Sequence, residues 1–159
     1  MRQKRSSLLK PKKSDMEIIR ANTLAERAGA YYVRIQAMAR KHRIPLNLEF
    51  DEHDNETTRY VLVVDDFLPV ATCRMYPLDS EKVMLGRVVV LPEYRHKGIG
   101  TMVVKEAETW AKELGFTVAC VESRDNKVQF YEGMGYVSQK DSIINGEVFD
   151  CLRMEKALF

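Results

Sequence analysis

Residues 88–105 constrain the fold most strongly, because they combine three local signals in one short stretch. A run of apolar, mostly β-branched residues stops at Pro92, and a basic turn with glycines at positions 98 and 100 follows. From position 101 onward the residues open a helical pattern. The stretch therefore predicts a strand, a turn and a helix whose first N–H groups bind an anion, because these donors are unpaired and lie at the positive end of the helix dipole.

The glycine spacing excludes two common phosphate-binding motifs. A dinucleotide fingerprint needs a small residue three places after its second glycine, where Val103 stands. A P-loop needs Gly-Lys-Ser/Thr, whereas Thr-Met follows Gly100. The remaining pattern is Arg-x-x-Gly-x-Gly directly after a strand, with positive charge from Arg95, His96 and Lys97. An ordinary strand–helix turn, with glycines for geometry alone, stays open at this point.

Length and composition predict one globular domain without metals or disulfides. The chain has 159 residues, of which 45% are hydrophobic and 30% charged. No apolar run reaches membrane-spanning length and the start lacks the apolar core of a signal peptide, so we expect a cytoplasmic protein with no membrane partner. Three cysteines without CxxC spacing predict reduced thiols in the core, namely Cys73, Cys120 and Cys151.

The net charge of +2 conceals an uneven distribution. Residues 1–13 contain six basic residues and no acid, which leaves 19 basic against 23 acidic residues in the rest. We therefore predict a basic tail at residues 1–13 and a single domain at residues 14–159. Nucleic-acid binding is not expected of the domain and could come only from the tail, for which a solvated arm is the simpler interpretation.

Apolar periodicity and turn signals predict the element order β-α-βββ-α-β-α-ββ. Thr23 and Glu26 form a capping box at the first helix, and Gly115 is suited to end the second. Short turns join the three middle strands, which predicts an antiparallel meander. The helix crossover then returns the next strand parallel to the central one. Asn145-Gly146 predicts a last hairpin, with its second strand from Val148.

Residues 49–56 carry five acids in eight positions. A solvated loop before a strand is the simplest interpretation of most of them. Leu48 and Phe50 alternate with Glu49 and Asp51, however, which predicts a partly anchored segment. An anchored acidic segment could attract a cationic amine.

A second motif follows the predicted fifth strand, with Phe130-Tyr131-Glu132 leading to Gly135-Tyr136. Joined to the Arg-x-x-Gly-x-Gly turn, this pattern resembles the GCN5-related N-acetyltransferase (GNAT) family from about residue 14 to the end. Shorter patterns at residues 44–45, 49–54, 71–78 and 85–88 resemble a subgroup of small bacterial acetyltransferases of unassigned substrate.

The resemblance implies the acyl-CoA N-acyltransferase fold, an α/β fold with a mixed, mostly antiparallel sheet of about six to seven strands and helices on both faces. It also implies acetyl-CoA as the cosubstrate, bound where the central and the following parallel strand splay apart. The pantetheine arm would pair with the backbone of Val88, Val89 and Val90. The pyrophosphate would lie on the turn and helix start, at Arg95, His96, Lys97, Gly98, Ile99, Gly100 and Thr101.

The resemblance places Tyr131 near the thioester as the general acid that protonates the leaving thiolate. Packing of this aromatic ring on the sheet is the alternative. The attacking amine must be neutral, so a base or a water chain must take its proton. The candidates for that base are, in order, Glu49, Asp51 and Glu122.

Two positions depart from the family's pattern. His96 stands where the family usually has glycine, which is tolerable if the position keeps an ordinary φ, and its side chain could face the phosphates. Arg124 stands where asparagine is usual, while Asn126 lies two residues further on. Either of these two residues could contact the cofactor.

The sequence thus predicts an acetyl-CoA-dependent N-acetyltransferase that acts on a primary amine of a small molecule or peptide. Direct transfer in a ternary complex is expected, because no cysteine is predicted where a covalent intermediate would need one. A non-catalytic acyl-CoA-binding or sensory module is one alternative, and a nucleic-acid-associated protein that works through the tail is another. The resemblance also allows a homodimer paired through the late strands, and it leaves the acceptor amine open.

Overall fold

The structure is a computed structural model that describes residues 16–159. The predicted basic tail lies outside the described residues, as do residues 14–15 of the predicted first strand. Within the described part, seven strands form one sheet: β1 Met16–Arg20, β2 Arg59–Asp65, β3 Leu68–Pro77, β4 Lys82–Val90, β5 Val118–Arg124, β6 Val137–Ile144 and β7 Cys151–Ala157. Their order in space is β1-β2-β3-β4-β5-β7-β6.

Five α-helical segments accompany the sheet: α1 Leu24–Arg34, α2 Arg40–His42, α3 Leu46–Glu49, α4 Ile99–Glu113 and α5 Val128–Gly133. A π-helical turn, Ile35–Ala39, joins α1 to α2. Short 3₁₀ turns precede α4 and α5 at Pro92–Tyr94 and Asp125–Lys127. The predicted element order and the mixed, mostly antiparallel sheet are confirmed.

Local signals place the helix ends where the sequence predicts them. At the start of α1 the Glu26 N–H donates to Thr23 Oγ1 at 3.1 Å, and the Thr23 N–H donates to Glu26 Oε1 at 3.0 Å. This reciprocal pair is the predicted capping box. Gly115 follows α4 with a φ of 95°, which the end of a helix often requires and glycine adopts without strain.

The alternation of β2 side chains shows that helices cover both faces of the sheet. Tyr60 and Leu62 pack with Ala30 of α1 in one cluster. Val61 and Val63 alternate with them and belong to the main core together with the buried stripe of α4. Because successive side chains of a strand point to opposite faces, α1 and α4 lie on opposite sides.

The strands β4 and β5 are parallel, as predicted, but they pair only between residues 82–84 and residues 118–120. β5 pairs with β7 along residues 118–124 instead. Beyond residue 84, therefore, one edge of β4 is left without a strand partner among the described residues. The diverging strands open a V-shaped gap, and α4 and α5 begin at its mouth.

No helix among residues 16–159 is long and apolar enough to cross a membrane. Within the same range, no group of three or more His, Cys, Asp or Glu side chains is arranged to hold a metal ion.

Candidate active site

A cleft of about 590 Å³ occupies the gap between β4 and β5. One wall is β4 with the turn that leads into α4. The opposite wall is formed by the end of β5, the start of α5 and the loop before β7. The segment from the π-helical turn to α3 closes one side. The cleft thus brings together four stretches that are far apart in the chain.

The β4 wall exposes backbone groups to the cleft. The Leu91 N–H donates to a carbonyl of β3 at 2.8 Å. Backbone groups of successive residues point to opposite edges of a strand, so those of Val89 also point toward β3. The backbone groups of Val88 and Val90 therefore point toward the gap. Arg95 Nε donates to the Val90 carbonyl at 3.4 Å, in agreement with that direction. The three valines line the cleft, and an extended ligand could pair with this edge as an added strand.

A bulge interrupts β4 just before these valines. Thr72 pairs with Val89 but Arg74 pairs with Gly86, so β4 has one residue more than β3 across this step. Arg87 lies in the bulge with a φ of 46°, a left-handed conformation that is uncommon for a residue other than glycine. The bulge changes the direction of β4 at the point where the gap begins.

The turn before α4 matches the predicted anion site in position and conformation. Gly98 has a φ of 77° and caps α4, whose first backbone bond runs from the Met102 N–H to the Gly98 carbonyl. The N–H groups of the three residues between them therefore have no partner inside the helix. A Cβ at Gly98 would meet nothing within 4 Å, so its backbone conformation rather than crowding favours glycine.

Six of the predicted diphosphate residues line the cleft: Arg95, His96, Gly98, Ile99, Gly100 and Thr101. Lys97 does not line it, and its Nζ lies 5.2 Å from the centre of the Tyr94 ring. On the sequence alone, histidine is acceptable at this position if φ is ordinary. His96 has a φ of 62°, so that condition is not met. Histidine is one of the residues found more often in the left-handed region, which explains why the turn still forms.

Tyr131 lies at the inner end of the cleft and is only 7% exposed. Its ring packs edge-on against those of Phe130 at 5.0 Å and Tyr136 at 5.6 Å. Burial raises the pKa of the Tyr131 phenol well above its ordinary value, so the group stays protonated in neutral solution. The side chain therefore packs in the core and also offers a protonated hydroxyl group beside the cleft.

Glu49 lines the cleft but is 3% exposed and tightly held. Its Oε1 lies 3.1 Å from Arg34 Nε and 3.9 Å from Arg87 Nε. Glu122, the third candidate base, also lines the cleft. Its side chain is 40% exposed and its Oε1 lies 3.5 Å from Arg153 Nη2.

Asp51 is not among the residues that line the cleft. Its carboxylate lies 2.8 Å from Arg74 Nη1 and 3.2 Å from Arg87 Nη2. Burial acts to raise the pKa of Asp51, but the hydrogen bond and charge of Arg74, with the charge of Arg87, hold it below its ordinary value. A lower pKa makes this carboxylate a weaker base.

The acidic segment is anchored, as the alternation of Leu48 and Phe50 with Glu49 and Asp51 predicts. Three of its five carboxylates, those of Glu49, Asp51 and Asp54, are ion-paired to arginines, so they do not form a solvated loop. Because each arginine charge cancels one of these carboxylates, the segment is also a poor attractant for a cation. The arginines could not be assigned from the sequence, since they come from three separate elements.

Asn126 and Arg124, the two alternatives for a cofactor contact, both line the cleft. The Arg124 guanidinium lies over the ring of Phe149, with its carbon 3.7 Å from the ring centre. Phe149 belongs to the loop before β7, where the sequence predicts a strand from Val148. β7 begins only at Cys151, and the loop residues before it turn toward the cleft.

Several lining residues were missing from the sequence prediction: Met38, Lys41, His42, Ile44, Leu48, Arg87, Val148, Phe149 and Cys151. The exposed ring of His42, at the end of α2, packs edge-on against Phe149 at 5.6 Å. Burial and the positive charges of Arg124, Lys41 and Arg95 lower the pKa of His42. No local pattern marks these positions, because they meet only when the loop before β7 folds toward α2.

The prediction that all three cysteines are core thiols is wrong for Cys151. Cys73 and Cys120 are buried, and burial raises their pKa to about 12 and about 11. Cys151 is half-buried and lines the cleft. Burial, followed by the charge of Glu122, also raises the pKa of the Cys151 thiol.

Comparisons with known proteins agree on one family. The model of the Acetyltransferase (GNAT) family matches residues 22–136. YjcF of Bacillus subtilis, an uncharacterised N-acetyltransferase, is 28% identical over 133 residues, which are 82% of this chain and 94% of YjcF. An uncharacterised acetyltransferase of Streptococcus pyogenes serotype M1 is 32% identical over 90 residues, which are 57% of this chain and 63% of that protein.

Solved structures show the same fold. A protein assigned as an N-acetyltransferase, from Lactobacillus plantarum, has a TM-score of 0.84 and 29% identity, covering 91% of this chain and 99% of its own. A GNAT family acetyltransferase from Elizabethkingia anophelis, solved with acetyl-CoA bound, has a TM-score of 0.64 and 15% identity over 91% of this chain and 99% of its own. At that identity the second likeness concerns the fold alone.

Proposed function

We propose that this chain, which belongs to the GNAT family and is an acyltransferase, transfers the acetyl group of acetyl-CoA to a primary amine of a small molecule or peptide. The observation that carries the proposal is the cleft between β4 and β5. It combines an unpaired strand edge, a helix N-terminus with free N–H groups and a buried, protonated tyrosine. Each of these three features serves a different part of a thioester substrate.

The residues present fit acetyl-CoA. The backbone groups of Val88 and Val90 face the gap and would pair with the amides of the pantetheine arm. The free N–H groups at the start of α4 and the guanidinium of Arg95 would hold the diphosphate. Asn126 lines the same end of the cleft and is proposed as a further contact to the cofactor.

Tyr131 would act as the general acid. When the amine attacks the acetyl carbonyl, the C–S bond breaks and the sulfur leaves as a thiolate, which takes the phenol proton. Because its pKa is raised, Tyr131 still carries its proton when the thiolate forms, although the same shift makes the phenol a weaker acid. A neighbouring water would then return a proton to the phenolate.

The amine must lose its own proton before or during attack. Of the three predicted bases, Glu49 and Glu122 line the cleft, and a water held by either carboxylate would accept the proton. Asp51 is less suited, because it lies outside the lining and its pKa is lowered by Arg74 and Arg87.

Direct transfer in a ternary complex is supported over a covalent acyl-enzyme. Cys151 lines the cleft and is the obvious nucleophile for a covalent route. The thiolate is the reactive form of cysteine, and the raised pKa of Cys151 keeps it as the thiol. The acetyl group would therefore pass from sulfur to nitrogen without a protein intermediate.

A screen of amines with acetyl-CoA, followed by thiol release, tests the proposal. We expect Tyr131→Phe to lower kcat by roughly 10²–10⁴-fold, the usual contribution of a positioned proton donor, and to leave the Kd of acetyl-CoA unchanged. Tyr32→Phe is the matched control, since Tyr32 is 38% exposed on α1 and does not line the cleft.

Two results would contradict parts of the proposal. Full activity of the Tyr131→Phe protein would remove Tyr131 as the acid and leave acetyl transfer standing. Tight binding of acetyl-CoA with no turnover of any amine would favour a sensory module on the same fold.

A further inference from the structure

We infer that the acceptor is a monoamine with an apolar body and a carboxylate, the chemical class of an apolar amino acid, and that Arg124 binds its carboxylate. The inference rests on the proposed acetyl transfer and narrows its substrate. The sequence left the acceptor amine open, and the inference selects one class among the possible amines.

Two segments that line the cleft are, taken together, mainly apolar. Between the π-helical turn and α3, and in the segment from the loop to the start of β7, the apolar lining residues are Met38, Ile44, Leu48, Val148, Phe149 and Cys151. A wall of this kind favours an apolar ligand surface, since burying such surface contributes about 25 cal/mol per Å². A polyamine or aminoglycoside offers little surface of that kind.

The cleft also lacks the carboxylates that a polycation needs. Among the described residues, the acids that line it are Glu49 and Glu122. Both are already close to arginines, with Glu49 at 3.1 Å from Arg34 and Glu122 at 3.5 Å from Arg153. A second or third ammonium group entering the cleft would lose its hydration without gaining a partner.

Arg124 supplies the charge that an acceptor carboxylate would seek. Among the side chains that the structure describes, which leave out those of residues 140 and 141, its guanidinium forms no ion pair, and its carbon lies 3.7 Å from the centre of the Phe149 ring. Stacking on an aromatic ring orients the planar fork and leaves its N–H groups free at the edge, where a carboxylate can accept two of them. Lys41 lines the cleft on the facing segment and adds to the positive potential.

Arg124 lies beside the apolar wall, and the charges of Arg124 and Arg95 both act on His42, so the choice of the acceptor over a coenzyme phosphate rests on that wall and on the variants described below. Its aromatic partner, Phe149, belongs to the apolar wall and also contacts His42. Phe149 therefore places the guanidinium beside the part of the cleft that is apolar. Arg95 and the amides at the start of α4 already serve the phosphates.

Rates with matched acceptors test the inference. We expect leucine, methionine and phenylalanine to have kcat/KM values at least tenfold above those of their primary amides, and spermidine and kanamycin to have the lowest values. The amine of an amino-acid amide is less basic and more often neutral, which favours the amide. A higher kcat/KM for the amino acid than for its amide would therefore show that the enzyme binds the carboxylate.

Variants assign that preference to a residue. Arg124→Gln should raise the KM of leucine at least tenfold, while the KM of leucinamide and the Kd of acetyl-CoA stay unchanged. Arg59→Gln is the matched control, because Arg59 also lies over an aromatic ring, 5.9 Å from the centre of Trp110, outside the cleft. Phe149→Ala should raise the KM of both leucine and leucinamide, because the change removes part of the apolar wall and also the ring against which the Arg124 guanidinium packs.

Three results would overturn the inference. Arg124→Gln could raise the Kd of acetyl-CoA and keep the preference for the acid, which would assign Arg124 to a coenzyme phosphate. Spermidine or kanamycin could be the best acceptor. If no amine is turned over, the proposed function fails. In that case calorimetry tests the inference separately. If protein loaded with CoA does not bind leucine at least tenfold more tightly than leucinamide, the inference is wrong.

Discussion

The guanidinium of Arg34, whose side chain is 0% exposed, lies 2.6 Å from the carboxylate of Asp54. Arg34 comes from the last turn of α1 and Asp54 from the acidic segment, so the bond ties that segment to the helix. Arg74 of β3 binds the same carboxylate at 2.9 Å. Asp54 thus joins a helix and a strand beneath the wall of the cleft, and the acidic segment is a structural element rather than a free surface.

Removal of Arg34 should destabilise the fold strongly. Arg34→Met leaves the carboxylates of Glu49 and Asp54 buried and removes the cation nearest to Glu49. Breaking a buried ion pair in this way lowers the free energy of unfolding by about 3–5 kcal/mol. Arg20→Met is the control, because Arg20 is 32% exposed and pairs with Glu106 and Glu113 at the surface, where a pair contributes about 0–1 kcal/mol. Urea unfolding measures both free energies. Equal losses in the two variants would contradict a structural role for the buried network.

The same carboxylate should make stability depend on pH in acid. Burial acts to raise the pKa of Asp54, but the hydrogen bonds from Arg34 and Tyr60 hold it well below its ordinary value. Below the unfolded pKa of about 3.9 the unfolded chain therefore takes up this proton before the folded chain does. The stabilisation is complete above that pH and is lost as pH falls toward the folded pKa.

Urea unfolding at several pH values between about 4 and 2 measures this effect. The slope of unfolding free energy against pH should be smaller in Asp54→Asn than in the unaltered protein, by up to about 1.4 kcal/mol per pH unit for one proton. Glu52→Gln is the matched control, since the Glu52 side chain is 82% exposed in the same segment. An unchanged slope in Asp54→Asn would show that Asp54 takes up its proton equally in both states.

The features that the sequence predicted well depend on neighbouring residues. The capping box of Thr23 and Glu26 and the turn at Gly98 involve residues within a few positions, and each has a strong local preference. The parallel direction of β5 follows from the single helix that connects it to β4. For the same reason the turn and helix start at residues 95–101, which are one continuous stretch, could be placed from the sequence, while their binding of acetyl-CoA stays a prediction.

The features that the sequence did not reveal depend on distant residues. Arg34 and Asp54 are 20 positions apart, and the pairing of a charged loop with buried arginines leaves no periodic pattern. Phe149 stood in a predicted strand, yet it lies over Arg124 from a loop. The walls of the cleft that lie opposite β4 are built from such contacts, which explains why their lining residues could not be predicted.

The left-handed backbone at His96 leads to a prediction about the turn. A residue with a Cβ pays about 1–2 kcal/mol in this conformation, which glycine avoids. We therefore expect His96→Gly to be about 1 kcal/mol more stable than His96→Ala, since both variants lack the imidazole and differ only in the cost of φ. Thermal or urea unfolding measures the difference. An alanine variant as stable as the glycine variant would mean that the turn relaxes to a negative φ.

Acetyl-CoA affinity of the same two variants shows what the imidazole does. If the His96 side chain contacts the phosphates, both variants bind acetyl-CoA more weakly than the unaltered protein. We expect a loss of roughly tenfold to a hundredfold in each, because one hydrogen bond to a charged group contributes about 1.5–3 kcal/mol and the backbone amides remain. If both variants bind acetyl-CoA as tightly as the unaltered protein, the His96 side chain makes no contact with the phosphates and only the backbone of the turn could bind them.

The pKa of Tyr131 predicts the alkaline side of the rate profile. A general acid must be protonated to act, and burial raises the pKa of this phenol well above the ordinary value of about 10. The protonated form is therefore lost only at higher pH, and kcat should show no fall due to Tyr131 up to about pH 10. Steady-state rates at saturating acceptor and acetyl-CoA measure the profile, with Tyr131→Phe as the comparison. A fall of kcat centred near pH 8 that is absent in Tyr131→Phe would contradict this prediction. It would show that the Tyr131 phenol ionises far more easily than its burial implies, and therefore that its surroundings are more polar than those in this structure.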